Sequence, residues 1–246
     1  MRALTQFTTT EDGYSIGYWT MGEGQPLIFS PQPMVTSSTA ELEIESSRRF
    51  YEQLARTRRV VRFDHRGCGQ STRDVEDFSI ESLSRDLDAV VHAVGAERVD
   101  LWSQEDAASL AISYAAHHPE VVDHLVLWGA WAHPSDVVET DALVALEDLI
   151  DHNFPMWLES ALTVVWRWPG SDGAAYARAL RESTTPRNVR AYLRAAWTWD
   201  VTDLHDEVQC PTLVVNRRDQ PVFSPECGAR LAQRIRGSQR VAVAGG

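Results

Sequence analysis

Apolar and polar positions follow two periods along this chain, and the two alternate. Ala3–Thr9 and Ser15–Thr20 have the spacing of strands, with the turn pair Asp12-Gly13 between them predicting a hairpin. After Gly22-Glu23-Gly24, the run Pro26–Phe29 reads as a buried strand. Glu41–Arg56 then has helical spacing through Leu42, Phe50 and Leu54. Arg59–Phe63 is a second apolar run, and Ser79–Val94 a helix with Leu83, Leu87, Val90, Val91 and Val94 on one side. Arg98–Ser103 predicts a strand, Asp106–His117 a helix and Val121–Trp128 a strand. Short loops between strands and helices predict a mainly parallel sheet of about eight strands, covered by helices on both faces.

The alternation stops between Ala132 and Asp206, where helical segments succeed one another with no convincing strand. Five tryptophans fall there: Trp157, Trp166, Trp168, Trp197 and Trp199. Alternation resumes with the strand Thr212–Asn216, the helix Pro225–Arg236 and a last strand, Arg240–Ala244. The expected organisation is a core of residues 1–131 and 207–246, interrupted by a helical cap at 132–206.

Composition narrows the chemistry. A net charge of −12 opposes binding to a phosphate backbone, so no nucleic-acid partner is expected. All 23 basic residues are arginine, which excludes a lysine Schiff base. Cys68, Cys210 and Cys227 are odd in number and without a CxxC pair, predicting neither a disulfide framework nor a metal site. The N-terminus lacks an apolar leader and no apolar run has membrane-spanning length. A cytoplasmic protein without a membrane partner or cofactor is the expectation.

Four motifs in this order resemble the α/β-hydrolase superfamily. They are the loop Asp64-His65-Arg66-Gly67-Cys68-Gly69-Gln70-Ser71, the helix end Tyr114-Ala115-Ala116-His117-His118-Pro119 before Leu125-Val126-Leu127, the strand Cys210–Val215, and the early Asp12-Gly13 and Gly22–Pro26 turns. The nearest likeness is to hydrolase-like domains that precede cyclase or regulatory domains in some bacterial proteins. In the first loop the glycines permit a tight turn, and Asp64 and Arg66 are expected to pair across it.

The resemblance implies a nucleophile on a strained strand-to-helix turn. Counting back from Tyr114, that position holds Glu105, within Ser103-Gln104-Glu105-Asp106-Ala107. The acid position falls on Gln220, with Asp219 one residue early. The oxyanion segment reads Pro31-Gln32-Pro33-Met34, in which Pro33 has no N–H to donate. The family's base histidine follows the last strand, but this chain stops at Gly245-Gly246 and no histidine follows His205. His133 and His205 are the possible substitutes.

These departures imply a non-catalytic ligand-binding or sensory descendant of a hydrolase. It would hold a small apolar or amphipathic molecule between core and cap, near Gln32, Pro33, Met34, Asp106 and Trp131. The alternative is an active hydrolase, or a non-hydrolytic enzyme, using Glu105 as nucleophile or general base. The family's last helix would also lie beyond Gly246. Leu27, Phe29 and the terminal strand are therefore expected to face water or the same face of a second copy.

Overall fold

The computed structural model describes residues 3–34, 36–137, 141–165, 170–220 and 222–244. Eight strands form one sheet in the order β1-β2-β4-β3-β5-β6-β7-β8. The hairpin β1 (Gln6–Thr9) and β2 (Ser15–Met21) is antiparallel, as is the pairing of β2 with β4 (Arg59–Phe63). From β4 onward every pairing is parallel: β3 (Pro26–Ser30), β5 (Val99–Gln104), β6 (Val122–Trp128), β7 (Thr212–Arg217) and β8 (Gln239–Val243). All five residues of β3 are buried, as a central strand covered on both faces requires.

On one face Ile28, Val61, Leu101, Leu125 and Val214 pack against α3 (Ile80–Val94) and α4 (Ala107–His117). On the other face Leu27 and Phe29 are buried with Trp19, Tyr51 and Val60. This corrects the expectation that Leu27 and Phe29 face water. Helix α2 (Glu45–Leu54) carries Tyr51 over them, with Phe29 edge-on to that ring at 5.5 Å. Among the described residues, the exposed large apolar side chains of the sheet are Phe7 at its β1 edge and Leu213 and Val241 near its β8 edge, a narrower patch on the β8 side than expected. Gly245 and Gly246 lie outside the described residues.

The helix expected over Glu41–Arg56 is two helices, α1 (Ser38–Glu43) and α2. Ile44 between them is extended, at φ −90° and ψ 121°. It is buried in a cluster with Leu158, Tyr176 and Leu180, and burying this one side chain away from the helix face bends the chain there.

Between β6 and β7 come α5 (Asp141–His152), α6 (Phe154–Val164), α7 (Gly170–Ser183) and α8 (Pro186–Ala196), with no strand among the described residues. Their inner faces share that same cluster with Phe78, Leu83 and Leu110 of the sheet domain. Trp157 and Trp199 are buried there, whereas Trp197 is 46% exposed. Trp166 and Trp168 lie outside the described residues. No described helix is long and apolar enough to cross a membrane.

The Asp64–Ser71 loop is held differently from the expected pairing. Asp64 accepts hydrogen bonds from the Ser38 N–H (2.7 Å), the Ser38 hydroxyl (2.9 Å) and the Gln70 N–H (3.0 Å). Arg66 instead pairs with Asp86 and Asp12, both at 2.8 Å. Asp64 is thus consumed by backbone and hydroxyl donors, which explains why the turn needs a carboxylate there.

Gly69 sits at φ +54°, and a Cβ added to it would lie 2.1 Å from Asp64 Oδ2. Gly69→Ala is therefore expected to destabilise the fold by about 2 kcal/mol or more, from the left-handed backbone and the displaced carboxylate together. Urea titration checks this, and an unchanged midpoint would show that the loop can rearrange freely.

Candidate functional site

Two small residues bracket the end of β5, and the chain turns sharply between them into α4. Glu105 is at φ +55°, the positive-φ residue other than glycine among the described residues. A left-handed backbone costs an L-residue about 1–2 kcal/mol, and such strain persists where surrounding structure over-determines it. Here the Glu105 N–H donates to the Trp128 carbonyl at 2.8 Å, and its own carbonyl accepts from Ala108 at 3.1 Å. Gly129 clears the space beside it: a Cβ on Gly129 would come within 3.3 Å of the Glu105 side chain. Glu105 is 7% exposed.

Asp106 begins α4, where its carboxylate accepts from the Ala107 N–H at 2.8 Å and from the Gln32 amide at 2.7 Å. Burial pushes its carboxyl up to about 6; the Gln32 amide, the nearby Tyr192 hydroxyl and the Ala107 N–H pull the other way without overcoming it. The Tyr192 hydroxyl has no hydrogen-bond partner of regular geometry. It faces Asp106 closely enough to matter electrostatically, without a well-formed bond.

Two cavities meet at this turn. The smaller, of about 100 Å³, lies between the sheet domain and the helical insertion, and is lined by Gln32, Met34, Asp106 and Trp131 together with Trp157 and Phe223. The larger, of about 530 Å³, is lined by Glu105, Gln32, Trp102, Trp128, Tyr176 and Gln220 among others. Gln32 borders both. Adjacent carboxylates on one turn thus open into different spaces, because successive residues at a strand-to-helix junction point in different directions.

The other expected site residues divide. Gln220 is buried in the larger cavity, donating to the Val165 carbonyl at 2.7 Å and accepting from the Val222 N–H at 3.2 Å. Asp219 does not line that cavity; its carboxylate, 44% exposed, pairs at 3.2 Å with Arg217, which does. Pro33 is buried but lines neither cavity. His133 stands 3.6 Å from Asp200 and half exposed, and His205 is buried with both ring nitrogens unpaired in the structure. Neither histidine lines a cavity.

Two polar networks beside the site had no clear sequence signal. Arg62 is 4% exposed and bonds Glu41 through both nitrogen and oxygen pairs, at 2.9 and 2.5 Å. The same carboxylate accepts from Tyr51 at 2.5 Å and from Tyr176 of α7 at 2.9 Å. This ties the insertion to the sheet domain. Burial works against the Arg62 charge, but Glu41, with Tyr51 and Tyr176 beside it, outweighs that and holds the guanidinium protonated above its usual range.

The second network runs from Ser30 through His65 to Asp86, at 3.5 and 3.2 Å. Its order is that of a nucleophilic relay. However, Asp86 also carries Arg66, and His65 and Asp86 are wholly buried. Burial holds the His65 ring neutral, with Asp86 opposing that effect. We read this network as a brace under the end of β3.

Residues 42–246 match the family model described as alpha/beta hydrolase fold. The putative carbamate hydrolase RutD of Caulobacter sp. strain K31 is 23% identical over 184 residues, covering 72% of this chain and 69% of that protein. The mouse serine hydrolase BPHL is 25% identical, covering 96% of this chain and 78% of its own length. Among solved structures, the esterase RhEst1 from Rhodococcus sp. ECU1013 superposes with a TM-score of 0.81 at 22% identity, over 99% of this chain and 90% of that one. An enol-lactonase from Burkholderia xenovorans LB400 superposes at 0.78 with 18% identity, over 97% and 91%. At these identities the superpositions establish the fold.

Proposed function

The chain belongs to the α/β-hydrolase family, and on that premise we propose that it is a small-molecule hydrolase in which a carboxylate replaces the usual serine. The observation that carries this reading is Glu105: a buried carboxylate on a positive-φ residue at the strand-to-helix turn, facing a cavity. Strain at a glutamate, which gains nothing from that backbone, points to a function for the side chain. The relatives' names, a carbamate hydrolase and an esterase among them, support hydrolysis of an ester, lactone or carbamate.

Of the two roles open to Glu105, general base fits better than nucleophile. A covalent acyl–glutamate would need a second base to activate the water that releases it. No described histidine lines either cavity. A carboxylate that takes the proton from water directly, as water attacks the carbonyl, needs no such partner. The substrate would lie under the insertion, with its body in the smaller cavity and its carbonyl toward Gln32 and Glu105.

Hydrolysis of p-nitrophenyl acetate and phenyl acetate above the buffer rate is the test. Glu105→Gln is expected to lower kcat by roughly 10²–10⁴-fold with KM little changed. Glu105→Gly should do the same while raising stability by about 1 kcal/mol through relief of the backbone. Turnover unchanged in both variants would reject the role. A wild-type chain with no turnover on any such compound would favour a ligand-binding descendant, which the absence of a cavity-lining histidine among the described residues also suits.

A further inference from the structure

We propose that the smaller cavity recognises a small organic cation, a quaternary or protonated amine, as the head group of the substrate. This deepens the hydrolase reading by assigning the substrate a charge, but it concerns binding and stands or falls without turnover.

The walls of this cavity are apolar with four aromatic side chains among them, and its charged groups are acidic. Trp131 and Phe223 stack at 5.3 Å with planes 16° apart, and Trp157 and Trp197 complete the aromatic lining. Asp106 and Glu147 are its ionisable groups, and no arginine or histidine is among its described lining residues. Aromatic faces beside a carboxylate attract a cation through the ring quadrupole and the opposite charge together. An anionic substrate would meet two like charges and no donor cation, so carboxylates and phosphates are disfavoured.

A neutral apolar ligand fits less well, because Gln32 and the Ala107 N–H bond Asp106 without supplying a countercharge, and such a ligand would leave its carboxylate buried with none. Burial pushes the Asp106 carboxyl up to about 6, and a cation placed against it restores the charged form. The size admits only a compact head group. An apolar cavity of about 150 Å³ accepts benzene, and this one is about 100 Å³.

The groups that face Asp106 leave this logic intact. Gln32, from the loop after β3, donates to it. Tyr192 of α8 lies beside it, its hydroxyl pushed up by burial and by the Asp106 charge, and therefore neutral. Glu105 on the turn is a further negative charge acting on Tyr192. Across the cavity Glu147 of α5 is 38% exposed, 3.7 Å from Arg190 and 3.4 Å from the Trp197 indole N–H. Arg190 partly neutralises Glu147 at the rim, leaving Asp106 as the charge at depth.

The experiment is titration of the whole chain with choline, tetramethylammonium and 3,3-dimethyl-1-butanol, the neutral carbon counterpart of choline, followed by tryptophan fluorescence. At pH 7.5 the cations are expected to quench saturably and to bind at least tenfold more tightly than the neutral alcohol. At pH 5, where Asp106 is mostly protonated, the preference should shrink about tenfold. Asp106→Asn should abolish it, and Trp131→Leu should weaken choline more than the alcohol. Glu105→Gln should leave cation binding intact while removing turnover, which separates this proposal from the catalytic one. Equal affinity for choline and its neutral counterpart, no saturable response to either cation, or a preference that survives in Asp106→Asn and Trp131→Leu would overturn it.

Discussion

Glu41→Ala is expected to cost the folded chain about 3–5 kcal/mol, the range for stranding one member of a buried ion pair. The reason lies in what remains behind. Arg62 is 4% exposed and keeps the Thr36 hydroxyl at 2.7 Å and the Phe63 carbonyl at 2.6 Å, neither of which carries a charge. Tyr51 and Tyr176 lose their acceptor at the same time. Because Tyr176 belongs to the insertion, the effect should reach the larger cavity as well as the global midpoint. A double variant, Glu41→Leu with Arg62→Met, removes both charges and should be less destabilised than the single one, since no buried charge is then unpaired. Urea unfolding of the two variants decides the matter. A single variant within about 1 kcal/mol of wild type, or a double variant that is worse, would mean that the pair is not what holds α1 and α7 to the sheet.

Asp106→Asn should act in the opposite direction and depend on pH. Burial lifts the folded-state carboxyl from 3.8 to about 6. The folded chain therefore binds this proton more tightly than the unfolded one. Stability contributed by the protonated acid is complete below about pH 4, is lost as the pH rises through about 6, and does not return above it. A shift of about two units corresponds to about 3 kcal/mol. Asparagine is uncharged, caps a helix as well as aspartate and can still accept from Gln32. The variant is expected to exceed wild type by up to about 3 kcal/mol at pH 7.5 and to match it at pH 4. The same difference at both pH values, or a variant less stable at pH 7.5, would refute the buried-acid account. A stabilising substitution at a conspicuous position is what a site kept for binding rather than for stability should give.

Much of the architecture could be read along the chain because it is written in local periods. Apolar runs at β3 and β5, most of the run at β7, and the helical spacing from Leu83 to Val94 report burial locally, with Leu213 the exception. The interruption by α5 to α8 was visible for the same reason, as a loss of strand period. The helix break at Ile44 was not, since its cause is a cluster formed with Leu158, Tyr176 and Leu180 more than a hundred residues later.

Motif spacing also put Glu105 on the turn, and there the tertiary structure added what spacing cannot carry: the positive φ, the clearance at Gly129 and the side of the turn on which each carboxylate opens. Asp219 and Gln220 are neighbours with equal claims in the sequence. Only the fold turns one out to Arg217 and the other in to Val165.

The partners of Asp64, Arg66, Arg62 and Asp106 were likewise decided in three dimensions. A charged or polar side chain has no period, and its partner is whichever group the packed backbone brings within about 3 Å. The sequence by itself determined where this chain buries its apolar surface, because hydrophobic burial is non-directional and leaves a local pattern. Which polar groups meet was left to the tertiary structure, because hydrogen bonds and ion pairs are directional and join residues that the sequence holds far apart.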